Sequence, residues 1–257
     1  MKSTLIGVCH LPPLPGSPRA GAMREAIERA ARDATALAQA GFDAILIENF
    51  GDAPFFRDDV PDVTVAAMTA CALAAREAAP RLVLGVNVLR NDARAALAIA
   101  AASGAAFVRV NVLSGARVTD QGVVEGRAAD VLRERSAIAR DVLVFADVAV
   151  KHSAPLAARA IEDEARELEE RALADAILVT GAATGAPVDE RELERVRRAT
   201  GVPLFVASGA TERSVAGLLA RCDGVLVGTA VKRGRRAGAP VDPALARRFV
   251  RAARRAR

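Results

Sequence analysis

Eight times along this chain an apolar run of β-forming residues stops at polar or glycine-rich residues and gives way to a segment of helical spacing. The apolar runs are Leu5–Cys9, Asp43–Asn49, Leu82–Leu89, Phe107–Val112, Val142–Val148, Ala176–Thr180, Leu204–Ala207 and Val225–Val227. Helical spacing follows over Arg24–Ala40, Thr64–Ala79, Ala93–Ser103, Gly126–Ala139, Ala157–Leu173, Asp189–Ala199, Glu212–Ala220 and from about Pro243. Strands this uniformly apolar are buried on both faces, which is the condition of a parallel sheet joined by crossover helices. Eight such units in 257 residues is the count of a closed (β/α)8 TIM barrel. We expect one domain over residues 1–257, with a basic C-terminal helix or tail over about 243–257.

The doubly wound alternative fits less well. The turn after the first apolar run is His10 followed by LPPLPGSP, a stiff proline loop without GxGxxG, and no Walker-type GxxxxGK[ST] occurs. Asp92 is placed to cap the helix that follows the third strand. The long segment FGDAPFFRDDVPD holds Phe50, Phe55 and Phe56 in a chain poor in aromatic residues, and reads as a rim cover, a lid or an interface.

Composition narrows the function classes. No uncharged apolar run reaches the ~18 residues of a membrane span, and Leu5–Cys9 is shorter than a secretory signal core, so a cytoplasmic protein is expected. Cys9, Cys71 and Cys222 are scattered, which fits a reducing compartment and small buried side chains. The net charge of +5 is concentrated in Lys232, Arg233, Arg235, Arg236 and the arginines from 247 to 257. With no Trp or Tyr on which bases could stack, it reads as a solvated terminal helix, or as a peripheral contact with an anionic surface, and not as a nucleic-acid site. A homo-oligomer is expected.

Site residues belong where parallel strands end, at the carboxyl rim. Two glycine turns lie where barrels often hold phosphate: Ser208-Gly209-Ala210-Thr211 after the seventh predicted strand and Gly228-Thr229-Ala230 after the eighth. Thr180-Gly181 and Thr184 after the sixth extend this cradle, and Lys232 is read as its point charge. Tight turns alone would also account for the glycines. A second set, His10, Glu48, Asn87, Arg109, Asn111, Asp147, Lys151 and His152, ends the first five strands. Such groups are costly inside an apolar barrel unless paired or used, so an ion pair of Arg109 with Glu48 or Asp147 is the structural alternative to catalysis. In the catalytic reading Glu48 or Asp147 is a base and His10 or His152 an acid/base partner. Arg109 and Lys151 then stabilise charge, and Asn87 and Asn111 orient hydroxyls. Lys151 lies beyond its strand and reads as an anion contact before a Schiff-base nucleophile. No cofactor is specified; a divalent ion, Mg²⁺ or Mn²⁺, held by Glu48, Asp147 and a histidine is the one metal arrangement available. Ser208 lacks a GxSxG context, and no Ser-His-Asp triad can be proposed.

The stretches IGVCHLPPLPGSP, DAILIENFGDAPF, GVNVLRNDARAALAIA, FVRVNVLSGARVTDQGVVEG, VFADVAVKHSAPL, DAILVTGAATGAPVD, VASGAT and DGVLVGTAVK resemble the BtpA/SgcQ family from Ile6 to about Lys232. Cys9 departs, standing where relatives tend to carry methionine or a similar apolar residue. The resemblance implies a (β/α)8 barrel of the kind found in phosphate-binding enzymes. One branch of that family is linked to stable photosystem I accumulation and another to carbohydrate utilisation. The expectation is an enzyme acting on a phosphorylated sugar or nucleoside-like metabolite, with isomerase, lyase and hydrolase left open. The alternative is a non-catalytic biogenesis or stability factor of the photosystem I assembly type, docking through the aromatic loop and basic tail.

Overall fold

The computed structural model describes residues 3–181 and 185–255. In chain order its strands are β1 (Thr4–His10), β2 (Ala44–Glu48), β3 (Val83–Asn87), β4 (Phe107–Val110), β5 (Ala116–Thr119), β6 (Gly122–Glu125), β7 (Leu143–Val148), β8 (Ala154–Pro155), β9 (Ala176–Val179), β10 (Leu204–Val206) and β11 (Gly224–Val227). The helices are α1 (Met23–Ala40), α2 (Asp62–Ala78), α3 (Ala93–Ser103), α4 (Ala128–Ile138), α5 (Ile161–Glu170), α6 (Glu190–Ala199), α7 (Val215–Leu219) and α8 (Pro243–Arg254). Eight parallel strands close in the order β1-β11-β10-β9-β7-β4-β3-β2, with helices between them, so the expected TIM barrel is the architecture observed. The remaining strands, β5, β6 and β8, form a small sheet above the rim.

The two-residue period of the strands sorts side chains into two cores. Ile6, Val8, Ala44, Leu46, Phe107, Phe145, Phe205 and Leu226 fill the lumen, with the rings of Phe107 and Phe145 stacked at 4.7 Å. The alternate residues, among them Leu5, Cys9, Ile45 and Ile47, meet the alanine-rich faces of the helices. Small helical side chains let helix and strand approach closely while keeping helix propensity. Asp92 caps α3 as expected, accepting from the Ala95 amide at 2.8 Å.

The segment read as a plain loop, 114–126, contains the β5/β6 hairpin. Ala154 and Pro155 pair with Val118 and Arg117 of β5, which holds α5 back to Ile161 instead of Ala157. The basic C-terminal segment is a working part of the barrel wall. Asp242 caps α8 by accepting from the amides of Ala244 and Leu245, and Ala246, Phe249, Val250 and Ala253 are buried, leaving the arginines on the other face. Among the described residues no helix is long and apolar enough to cross a membrane.

The turns after β9 and β10 pack on each other. A Cβ at Gly209 would lie 2.0 Å from the Ala186 carbonyl oxygen, and the residue has φ +71°, which side chains rarely adopt. Gly209→Ala is therefore expected to lose roughly 2 kcal/mol or more from clash and left-handed strain together. Urea denaturation checks this; a loss under about 0.5 kcal/mol would show that the two turns can separate cheaply.

Candidate active site

The lumen-facing parity that places Val8, Leu46, Phe107 and Phe145 inside also places His10, Glu48, Arg109 and Asp147 inside, two residues further on at the carboxyl end of each strand. Gly85 and Asn87 follow the same spacing on β3. All five polar side chains are buried. They join hand to hand around the rim. His10 Nε2 lies 3.4 Å from Glu48 Oε1, Asn87 Nδ2 donates to Glu48 Oε2 at 2.7 Å, and Arg109 Nη1 stands 3.9 Å from the same oxygen. Arg109 grips Asp147 with two parallel bonds of 3.0 Å, Nε to Oδ2 and Nη2 to Oδ1, and Asn111 Nδ2 adds a third to Oδ2 at 2.6 Å.

This geometry separates the two carboxylates that the sequence left equivalent. Both Asp147 oxygens are committed, its side chain is 0% exposed, and its visible work is to fix and neutralise Arg109. Burial raises the pKa of Glu48, but His10 when protonated, and Arg109, Lys151 and Asn87 throughout, outweigh it and hold the carboxyl below its ordinary value. Burial, and then the charge of Lys232, pull His10 down to about 4 against the opposing pull of Glu48. His10 Nδ1 lies 2.6 Å from the Ala237 carbonyl, which can only accept, so the neutral ring carries its proton there and turns a bare Nε2 toward Glu48. Two proton acceptors thus face each other with no donor between them. The ring of Phe50 stacks on His10 at 4.4 Å and fixes its plane.

A pH dependence follows. Unfolded His10 binds a proton near its ordinary value of 6.5 and folded His10 only near 4. Between these the unfolded state binds more protons, so stability is full above about 6.5 and falls as pH drops toward 4. The loss is on the order of 3 kcal/mol. His10→Gln is expected to flatten this part of the profile by that amount in paired denaturation curves at pH 7 and pH 4; identical slopes would contradict it.

A cavity of about 200 Å³ opens above the ring. His10, Glu48, Arg109 and Lys151 line one part of it, and Ser208, Gly209, Ala210, Thr211, Gly228 and Thr229 line the other. The two halves meet at Gly228, where a Cβ would lie 3.0 Å from His10 Cε1. Among the described residues, the amides of Gly209, Ala210 and Thr229 take part in none of the turn and loop hydrogen bonds.

The BtpA family model matches residues 1–255. The chain belongs to the BtpA family. This BtpA-family chain is 44% identical over 252 residues to the Photosystem I biogenesis protein BtpA of Synechocystis sp., covering 96% of this chain and 87% of that protein. It is also 44% identical to a protein of Archaeoglobus fulgidus, over 99% of this chain and 100% of the other. Among solved structures, thiamine phosphate pyrophosphorylase from Pyrococcus furiosus superposes with a TM-score of 0.62 at 14% identity, covering 99% of this chain and 97% of that one. The geranylgeranylglyceryl phosphate synthase of Thermoplasma acidophilum, in complex with sn-glycerol-1-phosphate, gives 0.58 at 16% identity, covering 98% and 94%. At these identities the likeness is one of fold.

Several residues of this BtpA-family barrel stand elsewhere than their sequence positions suggested. Lys232 is not among the residues lining the cavity. It is 0% exposed, lies with Cys9 and with Asp33 of α1 in the layer outside the barrel, and its ammonium has no hydrogen-bond partner among the described residues. Burial lowers its pKa to about 8. The cation at the glycine turns is Arg235, three residues later, which lines the cavity with a 51% exposed side chain and reaches Glu212 at 3.2 Å. Its signal was present in KRGRR, but charge runs do not say which member turns inward.

His152 is exposed, has φ +56°, and is not part of the cavity lining. Thr180 is buried, its hydroxyl accepting from the Lys151 amide at 3.0 Å, and the Gly181 amide donates to Ser208 Oγ at 2.7 Å. Both brace the turns from behind. Thr184 lies outside the described residues. Asn87 and Asn111 each donate through Nδ2 to a carboxylate, holding Glu48 and Asp147, while the buried Asn111 Oδ1 has no hydrogen-bond partner among the described residues. Arg90 was absent from the sequence-derived set. It is buried, and its Nη2 donates to the Lys151 carbonyl at 2.8 Å. For a divalent ion the residues fit poorly: Asp147 has no free oxygen, and among the described residues no three His, Cys, Asp or Glu side chains gather as ligands.

Proposed function

We propose that this protein is a TIM-barrel enzyme that transfers a proton on a phosphorylated small molecule, a sugar phosphate or nucleoside-like phosphate. The observation that carries the proposal is that one cavity is lined both by the Glu48–His10 pair with its two neighbouring cations and by the glycine turns after β10 and β11. Phosphate on the turns after the seventh and eighth barrel strands is a recurrent use of this fold, where glycines admit close approach and backbone amides complement the charge.

The chemistry falls to Glu48 and His10. Glu48, held ionised, is the acceptor of the pair, and a proton it takes is shared with His10 Nε2 3.4 Å away. A hydroxyl or an activated C–H placed above them supplies that proton. Arg109 and Lys151 stabilise the negative charge that develops as it leaves. Isomerisation and lyase reactions through an enolate or alkoxide fit this arrangement. Glu48 and His10 retain the proton for return to the product.

The test is solvent exchange. In D₂O, wild-type protein with a ligand found among phosphorylated sugars is expected to place deuterium on one ligand carbon, and Glu48→Gln to bind the same ligand without exchange. Exchange at equal rates in both proteins would remove Glu48 from the role.

A second reading, a docking factor, rests on the name of the Synechocystis relative. Its aromatic surface is smaller than the sequence suggested. Phe50 is stacked on His10 and Phe55 is half-buried, which leaves Phe56, 54% exposed, as the outward ring of that loop.

A further inference from the structure

We infer that the ligand of this site carries a second anionic group, a carboxylate or a second phosphate, held at the Arg109 and Lys151 side of the cavity; the inference rests on the phosphate reading above. In the closed barrel three strands separate β4 from β11 in either direction, so Arg109 stands across the lumen from Gly228. Lys151 follows β7, which is likewise three strands from β1 and His10 on both sides. A molecule with phosphate on the glycine turns, passing over Glu48 and His10, brings its far end to these two cations.

The charges at that end are not balanced by the protein. Arg90, Arg109 and Lys151 supply three cations, and Glu48 and Asp147 supply two anions. Asp147 is spent on Arg109. Among the described residues neither Lys151 nor Arg90 forms an ion pair with a carboxylate, and the Arg90 side chain bonds to a backbone carbonyl while its buried Nε has no partner. The next carboxylate that acts on Arg90, Asp120, is exposed and does not pair with it. Neutral His10 adds nothing to either side. Arg90 is buried and Lys151 half-buried, a cation shielded from water without a counter-charge is unfavourable, and repulsion from Arg109 adds to the cost at Lys151. An anion arriving with the ligand relieves both, and a carboxylate or phosphate takes charge-assisted hydrogen bonds from an ammonium directly. Arg90 does not line the cavity; it acts from behind, holding the Lys151 backbone.

The experiment compares pairs matched in skeleton on the intact protein by calorimetry. The first pair is 3-phosphoglycerate against glycerol 3-phosphate; the second is ribulose 1,5-bisphosphate against ribulose 5-phosphate; glycerate and inorganic phosphate are the single-group arms. The expected result is that the doubly anionic member of at least one pair binds tenfold or more tightly than its partner, and that Lys151→Gln reduces that preference to under threefold. Equal affinity within both pairs overturns the second anion while leaving the phosphate reading intact. A preference that survives Lys151→Gln unchanged also overturns the assignment. If no phosphorylated compound and no inorganic phosphate binds, the phosphate reading falls and this inference with it.

Discussion

Asp147→Ala is expected to lose about 3–5 kcal/mol of unfolding free energy, because it leaves Arg109 buried with its nearest remaining carboxylate 3.9 Å away. The native pair satisfies the guanidinium through Nε and Nη2 and satisfies the Asn111 amide as well, so one truncation leaves three donors without their acceptor. The double variant Arg109→Met/Asp147→Leu is expected to recover most of that loss, since two apolar side chains need no counter-charge. Urea denaturation of the three proteins, with unchanged slope, measures both effects. A loss below about 1 kcal/mol for Asp147→Ala would mean that water reaches Arg109. If Asp147→Asn proved fully stable yet inactive, Asp147 would return to the set of candidate bases.

Glu48→Gln is expected to do the opposite, removing turnover and sparing the fold. Its carbonyl still accepts from Asn87 Nδ2, and its amide gives the bare His10 Nε2 the donor it lacks. The amide also gives up the negative charge that Arg109 and Lys151 favour, so stability is expected to fall, but by no more than about 1–2 kcal/mol. Turnover of an identified ligand should fall by a factor on the order of 10²–10⁴, the usual contribution of a positioned acid/base. Turnover within threefold of wild type would show that Glu48 is a structural partner of Arg109 and nothing more.

The ring of buried polar residues was legible because strands obey a simple parity. His10, Glu48, Arg109 and Asp147 are polar residues in or just after an apolar run, each two residues beyond a lumen side chain, and Asn87 stands two beyond Gly85, so spacing assigns them to one layer. Pairing within that layer was not legible. Whether Arg109 bonds Glu48 or Asp147 depends on distances across strands, and it decides which carboxylate is free to act.

Loops obey no such period. Lys232 and Arg235 lie three residues apart in one basic run. The bridge of Lys232 to Val241 and the positive φ of Gly234 and Arg235 send one outside the barrel and the other to the cavity. The β5/β6 hairpin escaped for a related reason: its strands are four residues each, too short for alternation to stand out between glycines. Phe50 was noticed as an aromatic residue in a long loop, but only the folded chain brings it onto His10.

The measurement that bears most directly on the central claim is a melting-temperature screen of the intact protein against phosphorylated metabolites, each beside its dephosphorylated form. A ligand at ~100 times its dissociation constant adds about 2.7 kcal/mol, a readily visible shift. The cavity shared by the glycine turns and the Glu48–His10 pair predicts that some phosphorylated compounds raise the melting temperature while their dephosphorylated partners leave it unchanged. Equal shifts from both members of every responding pair, or no shift across a broad panel, would contradict it.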